Sequence, residues 1–183
     1  MTTCIALLRG VNVGRANRIA MADLRAVVES LGHAKVRTLL NSGNVVFDAA
    51  GAGGRIAASI EGALGKRFGL SAPVIVVTAA ELTAIVRASP FAHATKEPSR
   101  YLIAVAPSAA ALAGAQPLLA QRWAREAIAL ENRAAYLWCA AGLIESKLWK
   151  AFERATAGAA TTRNWATILK LQAAAAAGKL PAR

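Results

Sequence analysis

The stretch Lys35-Val-Arg-Thr-Leu-Leu-Asn-Ser-Gly-Asn-Val-Val-Phe47 places two apolar runs on either side of a short polar turn. The runs Lys35–Leu40 and Val45–Phe47 are rich in the β-branched residues that favour strands. The turn Asn41–Asn44 contains the Asn and Gly residues that tolerate the left-handed backbone of tight turns. The stretch therefore predicts a β-hairpin.

The segments on both sides of this hairpin alternate between strand and helix patterns. Before it, Thr3–Leu8 is apolar on both faces, as in a central strand, and Met21–Leu31 has apolar residues at helical spacing. After it, Ile56–Phe68 predicts a second amphipathic helix, and Pro73–Val77 predicts a fourth strand with its proline at the start. The resulting order βαββαβ over residues 3–77 is that of a ferredoxin-like α/β plait.

The second half of the chain repeats this order, although no residue-level repeat is present. A connecting helix from about Ala79 to Ala88 precedes it. The predicted elements are strand Arg100–Val105, helix Ser108–Leu119, strands Ala127–Glu131 and Ala135–Ala140, helix Lys147–Ala155, a short strand Ala160–Arg163 and a final helix from Asn164 to about Ala177. The predicted fold class is therefore α+β, with two tandem ferredoxin-like βαββαβ subdomains and an extra C-terminal helix. The predicted boundaries are residues 1–78, a connecting helix and linker at 79–98, and residues 99–183.

The charge of the chain is strongly positive and concentrated at its two ends. The formal net charge is +12 over 183 residues. Residues 1–22 carry three cations and no acid, and residues 147–183 carry seven cations and one acid, so nine of the twelve charges come from these ends. Such a charge favours polyanions, whether nucleic acid, an acidic membrane surface or phosphorylated metabolites.

Two predicted loops should lie at the same end of the first plait. The first and second strands run parallel with the third antiparallel between them, so Gly10–Arg18 and the turn Asn41–Asn44 share one rim. Their glycines permit positive φ and close approach to a ligand. The residues predicted to bind a ligand on this rim are Arg9, Asn12, Arg15, Asn17, Ser42 and Asn44, with Arg18 nearby. Ordinary turn chemistry is the competing explanation, because Asn and Gly also form turns.

The segment Thr161-Thr-Arg-Asn-Trp165 is the second candidate region. A threonine before a helix is a common N-cap, which is enough to explain Thr161 or Thr162. A helix N-terminus beside Arg163 is also a common kind of anion-binding site. The predicted ligand-binding residues of this region are Thr162, Arg163 and Asn164. Trp165 is more typical of a core anchor than of a stacking platform.

Other kinds of site have little support in the sequence. The segment Gly10–Gly14 lacks the spacing and the Lys-Ser/Thr pair of a P-loop, and no Gly-x-Ser-x-Gly elbow is present. Two cysteines and two histidines give no metal-ligand spacing, so neither a metal nor a cofactor is predicted. Cys4 and Cys139 lie in apolar runs, as in the cores of proteins from reducing compartments. Without a signal-peptide pattern or a bilayer-length apolar run, we expect a cytoplasmic protein with no membrane association.

Three motifs, taken in order, resemble those of a known bacterial family. They are Leu8-Arg-Gly-Val-Asn-Val-Gly14 with Asn17 and Met21, Asn41-Ser-Gly-Asn-Val-Val-Phe47, and Thr161-Thr-Arg-Asn-Trp165. On these motifs the chain resembles domain-of-unknown-function family 1697 over nearly its whole length. The resemblance implies a pair of α/β-plait subdomains and brings no settled activity, ligand or catalytic residue. Family members tend to have Gly or Lys near Arg15-Ala16 and Gln in place of Asn41, changes that keep the loop polar or basic.

Three functional hypotheses follow. The chain is a module that binds nucleic acid through backbone phosphates, an enzyme or sensor for a phosphorylated or carboxylated small molecule, or a structural or interaction protein without a ligand. No general base can be named, so the sequence leaves open whether the protein is an enzyme. The first strand has no aromatic residue and the third has only Phe47, so the sheet is a poor base-stacking platform. Nucleic acid should therefore contact the rim loops through its phosphates.

Overall fold

The fold alternates strands and helices in the order βαββαβ twice, followed by a terminal helix. The computed structural model describes residues 1–13, 17–91, 94 and 96–177. The elements in these ranges are β1 Thr2–Leu8, α1 Met21–Ser30, β2 Ala34–Leu39, β3 Asn44–Ala49, α2 Gly53–Phe68, β4 Val74–Thr78, α3 Ala79–Arg87, β5 Tyr101–Val105, a 3-10 helix Ala110–Ala120, β6 Ala127–Glu131, β7 Ala134–Trp138, α4 Lys147–Ala155, β8 Thr161–Asn164 and α5 Trp165–Ala177. The predicted α+β fold class with two tandem plaits and a C-terminal helix is confirmed.

The first sheet is built around β1. Within the described ranges its strand order is β2-β3-β1-β4, and every neighbouring pair is antiparallel. Ile5 lies opposite Val46 of β3 on one side and Val77 of β4 on the other. Residues 4–8 are all at most 3% exposed. The uninterrupted apolar run of this strand is explained by burial on both of its faces.

The helices α1 and α2 cover one face of the first sheet. The core on this face includes Cys4, Ala6 and Leu8 of β1. α1 contributes Leu24, Val27 and Val28, and α2 contributes Ile56, Ile60 and Leu64, all at the i, i+3 or i+4 spacing of one helix face. Full burial of each large aliphatic side chain stabilises the fold by about 1.5–3 kcal/mol.

The edge strand β2 has an irregular backbone. Its register against β3 shifts between Ala34 and Arg37, and Lys35 between them has a φ of 52°. The Lys35 ammonium lies 3.1 Å from a carboxylate oxygen of Asp48 on β3. Asp48 also accepts a hydrogen bond from the Thr3 hydroxyl at 2.8 Å, and these contacts lower the pKa of its carboxyl. The edge of this sheet is thus charged and bent.

The second sheet has the same topology, with strand order β6-β7-β5-β8 in the described ranges. Leu102 and Ala104 of β5 face a core that includes Leu148 and Phe152 of α4. The helix predicted at Ser108–Leu119 is instead a 3-10 helix at Ala110–Ala120 that contains Pro117. Proline donates no backbone hydrogen bond and its ring clashes with the preceding turn of an α-helix, which disfavours the α form here.

Two compact units divide the chain, and each has its own sheet. The first comprises Met1–Thr83 with the end of α5 from Lys170, and the second comprises Ala84–Leu169. This division differs from the ranges expected from the sequence, because α3 is split and the end of α5 belongs with the first sheet. Arg37 of β2 donates to the carbonyl of Ala174 at 2.7 Å. No helix in the described part of the chain is long and apolar enough to cross a bilayer.

The close approach of the 3-10 helix to α4 depends on Gly114. A Cβ at this position would overlap the carbonyl oxygen of Ala155, a backbone atom that cannot rotate away. We expect Gly114→Ala to lower the free energy of unfolding by about 1–3 kcal/mol, the usual cost of overpacking. Urea unfolding followed by circular dichroism measures this. The control is Gly62→Ala in α2, where a Cβ meets nothing within 4 Å. If both variants unfold at the same urea concentration, the Gly114–Ala155 contact does not limit how closely the 3-10 helix and α4 can pack.

Candidate functional site

The loop that leaves β1 meets the β2–β3 hairpin at one end of the first sheet. The backbone N–H of Leu8 donates to the carbonyl of Gly43 at 2.8 Å. The side-chain amide of Asn12 donates to the carbonyl of Asn41, also at 2.8 Å. The two loops that the topology predicts to share a rim therefore lie side by side.

Asn12 closes its own loop. Its side-chain nitrogen donates to the carbonyl of Ile19 at 2.9 Å as well as to Asn41, and its side-chain oxygen accepts from the N–H of Ile19 at 2.9 Å. Its backbone N–H donates to the carbonyl of Asn17 at 2.9 Å, and its φ is 56°. Both amide donors of Asn12 are thus used within the protein. The residue sets the path from β1 to α1.

The hairpin is fixed in a similar way by Asn44 and Gly43. Asn44 is 0% exposed, and its side-chain nitrogen donates to the carbonyl of Leu39 at 3.0 Å and to the hydroxyl of Ser42 at 2.9 Å. Gly43 has a φ of 71°, and a Cβ there would overlap Val11 and lie 2.8 Å from the Cβ of Leu8. Only glycine fits this backbone and this space. The conformation of the hairpin therefore depends on both motif residues.

Cations from the β1–α1 loop and from the end of α2 lie at the same end of the sheet as these loops. Arg9 follows β1, and its backbone N–H donates to the carbonyl of Pro73 at 2.9 Å, which places the start of β4 at the same end. Arg18 is exposed in the loop before α1. Lys66 and Arg67 are exposed in the last turn of α2, just before the segment that leads into β4. We call Arg9, Arg18, Lys66 and Arg67 the basic end of the first unit.

The remaining predicted residues of the rim have different positions. Asn17 is exposed, with a φ of 51°. Ser42 is half-buried beside Asn44. Arg15 lies outside the described residues. Lys66 and Arg67 were not anticipated, although the βαββαβ order itself implies that α2 ends where the loop after β1 begins.

The second predicted region contains the short strand that the sequence indicates, since β8 spans Thr161–Asn164. Thr161 and Thr162 lie in β8 opposite Val105 and Ala104 of β5. The prediction that one of these threonines caps the last helix is wrong, because Asn164 accepts a hydrogen bond from the N–H of Thr167 at 2.9 Å. Pairing with β5 extends the strand to Asn164 and moves the cap to that residue.

Arg163 is held within this strand. Its guanidinium donates to the hydroxyl of Thr161 at 3.2 Å and to the carbonyl of Thr162 at 2.8 Å. Burial lowers the pKa of Arg163 to about 10, so the side chain is charged at neutral pH. The Trp165 ring stacks on Tyr101 at 5.1 Å between centroids, as expected of a core anchor. The residues Thr162, Arg163 and Asn164 belong to the second compact unit, whereas the rim residues belong to the first.

A cavity of about 740 Å³ lies in the second unit. It is formed by the segment before β6, the loop after β7 and the start of α4. The charged and aromatic side chains lining it include Arg100, Arg122, Trp123, Arg125, Glu126 and Lys147. Sequence reasoning missed this group, since its members come from three separate segments and form no local motif.

Cys4 and Cys139 are buried, and His33 is half-buried. Burial raises the pKa of both thiols, that of Cys139 to about 11, so neither is a thiolate at neutral pH. Burial lowers the pKa of His33, whose ring centroid lies 5.0 Å from that of Phe47. Across the described ranges, no group of three or more His, Cys, Asp or Glu residues could hold a metal ion.

The fold and loops define a tandem α/β-plait protein whose motif residues fix the loops. The chain belongs to the family described as "Protein of unknown function (DUF1697)", whose model matches residues 1–136. A conserved bacterial protein from Streptococcus pneumoniae, SP0830, has a similar structure, with a TM-score of 0.78, 20% identity, and coverage of 96% of this chain and 99% of that one. At this identity the similarity shows the fold alone. No curated protein matches the chain.

We expect Asn12→Ala to lower the free energy of unfolding by about 2–4 kcal/mol, because three side-chain hydrogen bonds at about 1 kcal/mol each are lost. Thermal and urea unfolding measure this. The matched control is Asn41→Ala, which removes an exposed amide and keeps the carbonyl that Asn12 contacts. Equal stability of the Asn12 and Asn41 variants would contradict the role assigned to Asn12.

Proposed function

We propose that the protein binds an anionic ligand at the basic end of the first unit, and that this ligand is the phosphate backbone of a nucleic acid. The observation that supports the proposal most is that the β1–α1 loop and the last turn of α2, at the same end of the first sheet, both carry exposed cations. Arg18 comes from the loop before α1, and Lys66 and Arg67 come from the last turn of α2. Exposed cations held at fixed positions attract phosphates and release the counterions bound to them.

The charge of the whole chain supports the same ligand class. A net charge of +12 raises the association rate with any polyanion. Asp23 in the first turn of α1 offsets part of the positive charge near the loops. Glu61 of α2 is engaged with the backbone, since its carboxylate accepts from the N–H of Val74 at 2.6 Å. The cations therefore outnumber the acids at this end.

Contact with phosphates rather than with bases fits the strands of the first sheet. Phe47 of β3 packs into the core under α1 and α2. On the other face of the sheet, Ile5 and Leu7 of β1 and Val46 of β3 are at most 1% exposed. Modules that bind RNA through an α/β plait stack bases on exposed aromatic residues of these two strands. With that surface covered, binding should depend little on sequence and should weaken steeply with salt.

A phosphorylated small molecule is the second candidate ligand for the same end. A cavity of about 380 Å³, lined by Glu61, Gly65 and the segment from Gly69 to Pro73, lies beside the start of β4. Its volume is within the range of about 300–1,000 Å³ that small ligands occupy. No reaction is proposed for it.

The test is fluorescence anisotropy with labelled single- and double-stranded DNA and RNA across a salt series. We expect the triple variant Arg18→Ala, Lys66→Ala, Arg67→Ala to lower affinity at low salt by about tenfold or more, and to reduce the log–log salt slope by about 2–3. The three side chains differ from Arg9 in being exposed, so their removal should leave the fold intact.

A triple variant with the same loss of charge provides the control. Arg55→Ala, Lys150→Ala, Arg154→Ala removes three exposed cations, and Arg55 lies at the opposite end of α2 from Lys66. If both triple variants lose affinity equally, binding is a property of net charge and the basic end is not a site. If the unmodified protein binds no nucleic acid, but inorganic phosphate protects it against thermal unfolding and the Arg18, Lys66, Arg67 triple variant loses that protection, the small-molecule candidate replaces the first.

A further inference from the structure

The cavity of the second unit combines features that the basic end lacks. It is lined by residues of Ala84–Leu169 only, so it is separate from the loops discussed above. Its volume of about 740 Å³ fits a molecule of nucleotide size. Three features of its wall bear on the ligand: a group of cations, a carboxylate oxygen without a donor, and a fixed aromatic ring.

The cations outnumber the acids in this wall. Arg100 is paired with Glu97, since the two side chains approach to 2.7 Å. Arg122, Arg125 and Lys147 are exposed and form no ion pair with any described residue. The acids that face them are Glu126 and Glu145. A guanidinium can bind a phosphate through two parallel hydrogen bonds, so a wall with two exposed arginines favours a phosphoryl group.

Glu126 presents an acceptor without a donor. One carboxylate oxygen, Oε2, accepts from the N–H of Leu148 at 3.1 Å and so holds the first turn of α4. The other, Oε1, is buried and has no hydrogen-bond partner in the described part of the chain. A buried acceptor left in this state costs free energy that an N–H or O–H of a ligand would recover.

The N-terminus of α4 is already capped, so its backbone N–H groups are not the ones that would bind an anion in the cavity. The Ser146 hydroxyl accepts from the N–H of Trp149 at 2.9 Å, and Glu126 accepts from the N–H of Leu148. With these N–H groups occupied, the phosphoryl group should be held by arginine and lysine side chains. That assignment can be tested residue by residue.

Trp123 supplies a flat surface in a fixed orientation. Its indole N–H donates to the carbonyl of Leu118 at 2.8 Å, and the half-buried ring packs against the core of the second unit. A ring fixed by both contacts can stack on a planar ligand without losing side-chain freedom.

We propose that this cavity is a binding site for a purine nucleoside monophosphate. Arg122, Arg125 and Lys147 hold the phosphate, Trp123 stacks on the base, and Glu126 Oε1 accepts an N–H of the base. Each feature of the wall has one partner in such a ligand. Inorganic phosphate would engage only the cations, and a nucleoside would engage only the ring and the carboxylate. The inference does not rest on nucleic-acid binding by the first unit.

The test is isothermal titration calorimetry with GMP, AMP, guanosine and inorganic phosphate on the full chain. We expect at least one of the two nucleotides to bind about tenfold or more tightly than guanosine and than inorganic phosphate. The double variant Arg122→Ala, Arg125→Ala should lose at least about tenfold in nucleotide affinity. The double variant Arg55→Ala, Arg154→Ala removes the same charge away from the cavity and should bind as the unmodified protein does.

Glu126→Gln separates recognition of the base from a purely structural role. The variant keeps an oxygen for the N–H of Leu148 and removes the charge. We expect weaker nucleotide binding and unchanged or tighter binding of inorganic phosphate, whereas a structural defect would lower both. Thermal unfolding of each variant establishes that it is folded. Equal affinity for nucleotide and inorganic phosphate, no saturable nucleotide binding, or equal loss in both double variants would overturn the proposal.

The triple variant of the basic end distinguishes the two proposals. Arg18, Lys66 and Arg67 lie in the first unit and should have no effect on GMP or AMP affinity. Loss of nucleotide binding in that variant would place the nucleotide at the basic end and refute the cavity site. Failure of nucleic-acid binding with intact nucleotide binding would refute only the function proposed for the first unit.

Discussion

A strand that is buried on both faces must satisfy its backbone polar groups inside the sheet, because no water reaches them. β1 does so along its length by pairing with β3 and β4. At the end of the strand, the backbone N–H of Leu8 donates to the carbonyl of Gly43, and the backbone N–H of Arg9 donates to the carbonyl of Pro73. These two bonds attach the hairpin and the start of β4 to the point where the first loop begins. Together with the side-chain bonds of Asn12, they set the positions of the loops at this end.

The motif residues divide into two groups by the use of their polar atoms. Asn12, Asn44 and Asn164 direct side-chain atoms to backbone groups of the protein, and so fix a loop, a hairpin and a helix start. The cations nearby include exposed side chains such as Arg18 and Lys66. Asparagine and glycine in these motifs thus specify the backbone, and the ability to attract an anion lies with neighbouring residues outside the Asn-Gly pattern.

Much of the fold was accessible from the sequence because it is encoded locally. Apolar spacing predicts α1 and α2, and the Asn-Ser-Gly-Asn turn predicts the β2–β3 hairpin. The 3-10 helix was not predicted, although Pro117 carries the signal against an α-helix. The cap at Asn164 was missed because it depends on the register of β8 against β5, a pairing of residues about 60 positions apart along the chain.

The candidate sites were accessible only in part, for a related reason. The βαββαβ order places the first loop beside the hairpin, so the rim of the first unit follows from topology. The cavity beside α4 instead joins Arg122, Ala140 and Lys147, which no periodicity or motif connects. That Glu126 Oε1 has no hydrogen-bond partner among the described residues depends on the fold around it, and nothing in the sequence predicts it. Sequence reasoning therefore located the loops and missed the cavity.

The bent edge of the first sheet has a consequence for association between copies of the chain. A straight outer strand would offer a row of free N–H and C=O groups to a strand from another molecule, the first step of amyloid-like stacking. β2 interrupts that row at Lys35, where the backbone turns through a positive φ and the side chain is paired with Asp48. Arg37 adds a second charge to the same strand. The outermost strand of this sheet is therefore a poor template for pairing with a strand of another molecule, and Lys35 is the residue that interrupts it.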